Sequence, residues 1–133
     1  MLLSRACEYA IQAVLYLAQH YDTPYISIKE IANKNDISFH FLGKILQILT
    51  QKGLLISYKG PNGGVSLAKD PKDITLLEII EAVDGLEFLT SKCVIGTPGC
   101  DDNKPCALHD RWGPIRKQIY EMFAEKSIAQ LIQ

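Results

Sequence analysis

The chain has 133 residues, 47% of them apolar, and a formal net charge of −1. That length suits one compact domain or a small domain with an appendage, and the apolar share excludes a disordered or fibrous chain. The lack of a global basic excess excludes a histone-like binder and leaves room only for a local basic face. No apolar run reaches the length of a membrane span, and the first residues carry no signal-peptide pattern. A soluble, cytoplasmic protein with no membrane partner is therefore expected. In a reducing compartment its four cysteines are not expected to form a disulfide scaffold.

Residues 4–20 predict a first helix. Ser4 is its N-cap, and Ala6, Ala10, Ala13, Val14 and Leu17 form one apolar face. Cys7 borders that face and is expected to be a packed thiol. Tyr21 to Pro24 breaks the helix. Ser27 to Glu30 reads as a capping box that opens a short second helix with Ile28, Ile31 and Ala32 inward. A polar turn is expected over Asn33 to Asp36. Ser38 then caps a third helix, in which Leu42, Ile45, Leu46 and Leu49 repeat at helical spacing, and Gly53 stops it. Two short helices joined by a tight polar turn make a helix–turn–helix candidate.

The next segment narrows the choice. Leu54 to Tyr58 predicts a strand, Lys59 to Gly64 a tight turn, and Val65 to Leu67 a return strand. A β-hairpin directly after a helix–turn–helix is a winged helix. Thr75 to Glu78 is another capping box, opening a helix through Val83 with Gly85 as its stop. Residues 87–107 lose all periodicity, and a loop of that length in a small domain is usually functional or disordered. A last long helix is expected from His109 to Ala124. Its seam of Leu108, Trp112, Ile115, Ile119 and Met122 is spaced 4, 3, 4, 3, which suits another helix. Ser127 caps a short final turn.

On the third helix His40, Lys44, Gln47 and Gln51 lie opposite the apolar face. Such a helix enters the major groove of DNA with its N-terminal side chains at base edges. Lys44 can donate to guanine, and Gln47 can pair with adenine. Ser38 at the cap, with Lys59 and Asn62 in the wing turn, completes the candidate DNA-binding set. Glycines beside Lys59 let the backbone approach a phosphate or a narrow groove. From residue 29 to 69 six lysines face two acids, whereas residues 70–87 hold six acids and one lysine. The basic balance thus falls on the candidate DNA-binding part, as phosphate contact requires.

Cys93, Cys100, Cys106 and His109 are spaced C-x6-C-x5-C-x2-H. Three thiolates and an imidazole make a complete ligand set for a soft metal. Gly96, Pro98, Gly99 and Pro105 let the loop bend around a centre. The spacing does not separate zinc from iron–sulfur. Glu8, on the outer face of the first helix, could add an oxygen ligand from a second subunit. A thiol enzyme built on Cys106 and His109 lacks a third, orienting residue at a suitable place, so no enzyme is expected.

Leu3-Ser4 with Tyr9-Ala10, the wing KGPNGGVSLAKD at 59–70, LLEIIEAVDG at 76–85 and CALH at 106–109 together resemble the Rrf2 family of bacterial regulators, over essentially the whole chain. The resemblance implies a homodimeric transcription regulator, usually a repressor, with an iron–sulfur cluster on Cys93, Cys100 and Cys106. In IscR-like members a histidine at the place of His109 completes a 2Fe–2S cluster. In NsrR-like members an acidic residue of the partner's first helix, here Glu8, completes a 4Fe–4S cluster. This chain carries both candidates, and its first loop gap is one residue longer than in IscR-like members. The expectation is a mainly α fold: a winged helix–turn–helix over 1–85, a cluster-binding loop over 86–108, and a dimerisation helix with tail over 109–133. A zinc-stabilised or cluster-free winged-helix module without sensing is the alternative.

Overall fold

In chain order the elements are α1 (Arg5–Gln19), α2 (Ile28–Asn35), α3 (Phe39–Gln51), β1 (Leu55–Tyr58), β2 (Gly64–Leu67), a 3-10 turn (Pro71–Asp73), α4 (Leu76–Val83), α5 (Glu87–Thr90), α6 (His109–Glu125) and α7 (Ile128–Leu131). They are taken from a computed structural model, which describes residues 2–132. The architecture is mainly helical with one two-stranded sheet, as the sequence pattern predicts.

Local chemistry sets the helix starts. Ser4 Oγ accepts from the Cys7 amide at 3.0 Å and caps α1. The Ser4 amide also donates to Asp84 at 2.9 Å, tying the start of α1 to the end of α4. Ser38 caps α3 by accepting from the Phe41 amide at 3.4 Å. Thr75 and Glu78 form the complete capping box expected at α4. The box expected at α2 is only half made. Ser27 Oγ accepts from the Glu30 amide at 3.1 Å, but the Glu30 carboxylate accepts the Tyr16 hydroxyl at 2.7 Å instead of reaching back. A cross-helix phenol outcompetes the local amide. Helix α2 also runs through Asn33 to Asn35, where the turn was expected to begin. The reversal falls on Asp36, at φ 54, a residue type that tolerates the left-handed region.

The wing is an antiparallel pair in register from Leu55↔Leu67 to Tyr58↔Gly64. Ile26 and Val65 exchange backbone hydrogen bonds of 2.9 and 2.8 Å, so the segment before α2 braces the hairpin. That bridge explains Gly64: a Cβ there would stand 2.3 Å from the Ile26 carbonyl oxygen. One apolar core joins α1, α2, α3, the wing and the start of α4 through Val14, Ile31, Leu42, Ile45, Leu46, Leu49, Val65 and Ile79. Ile128 of α7 belongs to the same core, and its amide donates to Ile74 at 2.7 Å. The tail after α6 thus returns to the head.

A second, smaller cluster holds Cys7, Ile80, Leu89 and Phe123 together. It packs α5 and α6 against α1 and α4. Helix α5, absent from the predicted elements, forms in the non-periodic stretch because Leu89 has this cluster to fill. Cys7 is fully buried in it, as its position on α1 predicts. Burial, then the nearby Asp84 and Glu8 carboxylates, push its thiol up to about 12. Along α6, Leu108, Ile115 and Met122 of the predicted seam stay exposed, while Ile119 packs against the second cluster.

Candidate nucleic-acid interface and metal centre

Helix α3 buries one face and presents the other. His40, Lys44, Gln47 and Gln51 are all exposed, at the four positions expected from the helical period. Ser38 spends its oxygen lone pair on the cap and keeps its hydroxyl proton free. Lys59 and Asn62 are exposed in the wing turn. A cleft of about 410 Å3 runs between α3 and the wing, bordered by Gln47, Gln51, Ser57 and Lys59. Gln47 and Gln51 of α3 and Lys59 of the wing thus border one cleft, and His40 and Lys44 continue the exposed face of α3.

The cysteine loop begins at the end of α5 and closes at the start of α6. The Trp112 indole donates to the Lys92 carbonyl at 3.2 Å and pins the loop entrance to α6. The sulfurs of Cys93, Cys100 and Cys106 all lie within 4.8 Å of one another. Cys93 and Cys106 are 3.6 Å apart, and His109 Nδ1 is 3.4 Å from Cys100 Sγ. Two sulfurs at metal-bond length from one tetrahedral centre stand about 3.8 Å apart, so these contacts fit ligands sharing a metal. All three thiols and His109 are half-buried. Glu8 is exposed on α1 and takes no part in the thiol group.

Electrostatics separates the thiols. Backbone amides of Thr97 and then Ile95, with a hydrogen bond from Cys106, hold Cys93 down to about 6. At Cys100 the Cys106 amide pulls downward, but desolvation and the Cys106 and Cys93 thiols outweigh it and push that thiol up. The loop thus favours one thiolate and crowds the next. A metal bound to both would remove that conflict. Asp102 Oδ1 sits 2.9 Å from His109 Nε2, which places the proton on Nε2 and leaves the Nδ1 lone pair facing Cys100. This carboxylate was not foreseen, because a gap of seven residues in an irregular loop has no period. The space among the thiols, His109 and Trp112 is about 10 Å3, so the four donors stand packed against one another.

Fold and surface together define a winged-helix DNA-binding protein with a cysteine-rich metal-type site. The model of the Rrf2 family, described as an iron-dependent transcriptional regulator, matches residues 3–133. The chain belongs to that family. It is 35% identical to a protein of Aquifex aeolicus named as a helix–turn–helix transcriptional regulator, over 99% of this chain and 92% of that one. Among solved structures it is similar to CymR, titled the global cysteine regulator of B. subtilis, with a TM-score of 0.80, 25% identity and 98% and 95% of the two chains covered. T. potens IscR gives a TM-score of 0.78 at 27% identity, covering 98% of this chain and 85% of that one. The chain is thus a DNA-binding transcription regulator of the Rrf2 type, and the family consists of regulators rather than enzymes. No described helix is long and apolar enough to cross a membrane.

Proposed function

We propose that this regulator is a cytoplasmic homodimer, acting chiefly as a repressor, whose grip on DNA is switched by an iron–sulfur cluster on Cys93, Cys100 and Cys106. The observation that carries this reading is the grouping of the donor atoms. They fall into two pairs, Cys93 with Cys106 at 3.6 Å and Cys100 with His109 at 3.4 Å. Each pair would supply two ligands to one metal, and two such pairs would serve a two-iron centre, with all three sulfurs within 4.8 Å of one another. This favours a 2Fe–2S cluster with His109 as fourth ligand. It ranks Glu8 of a second subunit, and with it a 4Fe–4S cluster, below His109. The cluster would supply a redox- and nitric-oxide-sensitive group; Asp102 orients His109 toward it.

Two half-sites are read by two copies of α3, with Ser38, His40, Lys44 and Gln47 toward base edges and phosphates of the major groove. Lys59 and Asn62 of the wing meet the neighbouring minor groove. Exposed Leu108, at the N-cap of α6, and Ile115 and Met122 along it are the surface a second copy covers. The loop reaches the recognition helix through packed elements: α5 and α4 contact α6, and α4 contacts α3. A change at the thiols biases the heads only if DNA discriminates between the two states.

Zinc is the second reading, because three cysteines and one histidine also complete a structural zinc site. Anaerobic purification followed by iron, sulfide and zinc analysis separates the two. Iron with equal sulfide and a brown colour supports the cluster; a colourless protein with one zinc per chain sinks it. Ile115→Glu should turn a dimer into a monomer in light scattering, and a wild-type monomer would remove the α6 interface.

A further inference from the structure

Gly43 occupies the interior of α3, where glycine is the least favourable residue after proline. The fold does not require it. Its φ is outside the left-handed region, where Gly53, Gly60, Gly85, Gly96 and Gly99 lie. A Cβ built on it meets nothing within 4 Å, unlike Gly64, which is hemmed in by the Ile26 backbone. Its position is informative. Gly43 stands one turn before Gln47, on the flank of α3 that faces the wing, and it forms a wall of the cleft bordered by Gln47, Gln51, Ser57 and Lys59. The Thr50 hydroxyl in the same cleft is committed to the Leu46 carbonyl at 2.8 Å. Ile28, Leu46 and Val65 also line it, and its remaining polar borders, Gln47, Gln51, Ser57 and Lys59, offer hydrogen-bond donors and one cation.

DNA geometry says what fits between these walls. A single sugar–phosphate strand separates any major groove from the adjacent minor groove. With α3 in one and the wing in the other, that strand must pass through the cleft. A wall without a side chain lets it press against the helix backbone, within reach of Lys59 and Ser57. We propose that Gly43 is a positioning residue for DNA: its missing side chain seats one phosphodiester strand between the recognition helix and the wing, at a cost in helix stability. This rests on the reading of α3 and the wing as the DNA-binding face.

The test uses the full-length protein, Gly43→Ala and Gly43→Leu, and a duplex selected by the wild-type protein from a randomised library. Tm should rise by about 3 °C in Gly43→Ala, because alanine is the better helix former. Its affinity for the selected duplex should fall by about tenfold or more, equivalent to one good contact. Gly43→Leu should bind more weakly still. Replacing single phosphates by neutral methylphosphonates should find one linkage per half-site whose loss weakens the wild type but not Gly43→Ala. Equal affinity of Gly43→Ala and wild type, or a lowered Tm in Gly43→Ala, overturns the proposal. Should Gly43→Leu misfold, the alanine variant and the phosphate scan still decide. If the wild type selects no duplex at all, the DNA-binding reading itself fails, an outcome distinct from a variant that binds as well as wild type.

Discussion

The head and the cysteine loop are held together by opposite means. In the head, capped helices bury a continuous apolar cluster: Leu42 and Leu49 of α3 and Ile79 of α4 are each fully buried. That burial is non-directional and needs no ligand. Between Ser91 and Leu108 the only half-buried side chains are Cys93 and the other two loop cysteines, and the chain turns on Gly96 and Gly99 at positive φ. What converges there is donor atoms rather than apolar surface. A head closed by apolar burial and a loop of converging donor atoms are the parts the proposed ligand-controlled switch requires.

The greatest effect is expected from losing a loop thiol. Cys106→Ala should abolish bound iron while the head keeps its helical circular dichroism and thermal transition; loss of both together would mean that the loop props up the head. Next comes thiol chemistry in the metal-free protein. The thiolate is the reactive form, so alkylation of Cys93 should rise as pH climbs through its value of about 6 and then level off. Cys7, buried and pushed up to about 12, should react more slowly by over about a hundredfold at neutral pH. Mass spectrometry of labelled peptides reads both rates, and comparable labelling of the two would contradict the assigned environments.

Leu42→Ala probes the head alone. It should cost about 3 kcal/mol in urea unfolding, with and without metal, because it leaves a cavity in a closed core. A cost seen only in the metal-loaded protein would place Leu42 in the loop's energetics instead. The smallest effect belongs to the surface. Lys59→Ala should lower the slope of log affinity against log salt by about one phosphate contact per subunit and leave Tm unchanged. An unaltered slope removes Lys59 from the interface.

The same contrast explains what could be read in advance. Elements of the head announce themselves locally: Ser4, Ser38 and Thr75 cap the helices expected of them, and the α3 period separates Leu42 from Lys44. Partners from elsewhere in the chain do not. Glu30 turns to Tyr16 of α1, and α5 exists because Leu89 finds Ile80 and Phe123. In the loop the three cysteines were legible from residue type and grouping. The pairing of Cys93 with Cys106 and of Cys100 with His109, and the Asp102 contact, were not, since they depend on how an irregular chain folds back. Gly43 was legible as a glycine but not as an anomaly until the space around it was known.

The central claim is that occupancy of the loop sets the grip of the head. The most direct test is the operator affinity of the anaerobically purified dimer, measured by anisotropy before and after the cluster is removed under the same salt. The account predicts visible absorption in the starting protein and a change of about tenfold or more in affinity on removal, in keeping with an ordinary coupling free energy. Identical affinities in the two states, with the cluster shown to be present in one and absent in the other, would contradict it.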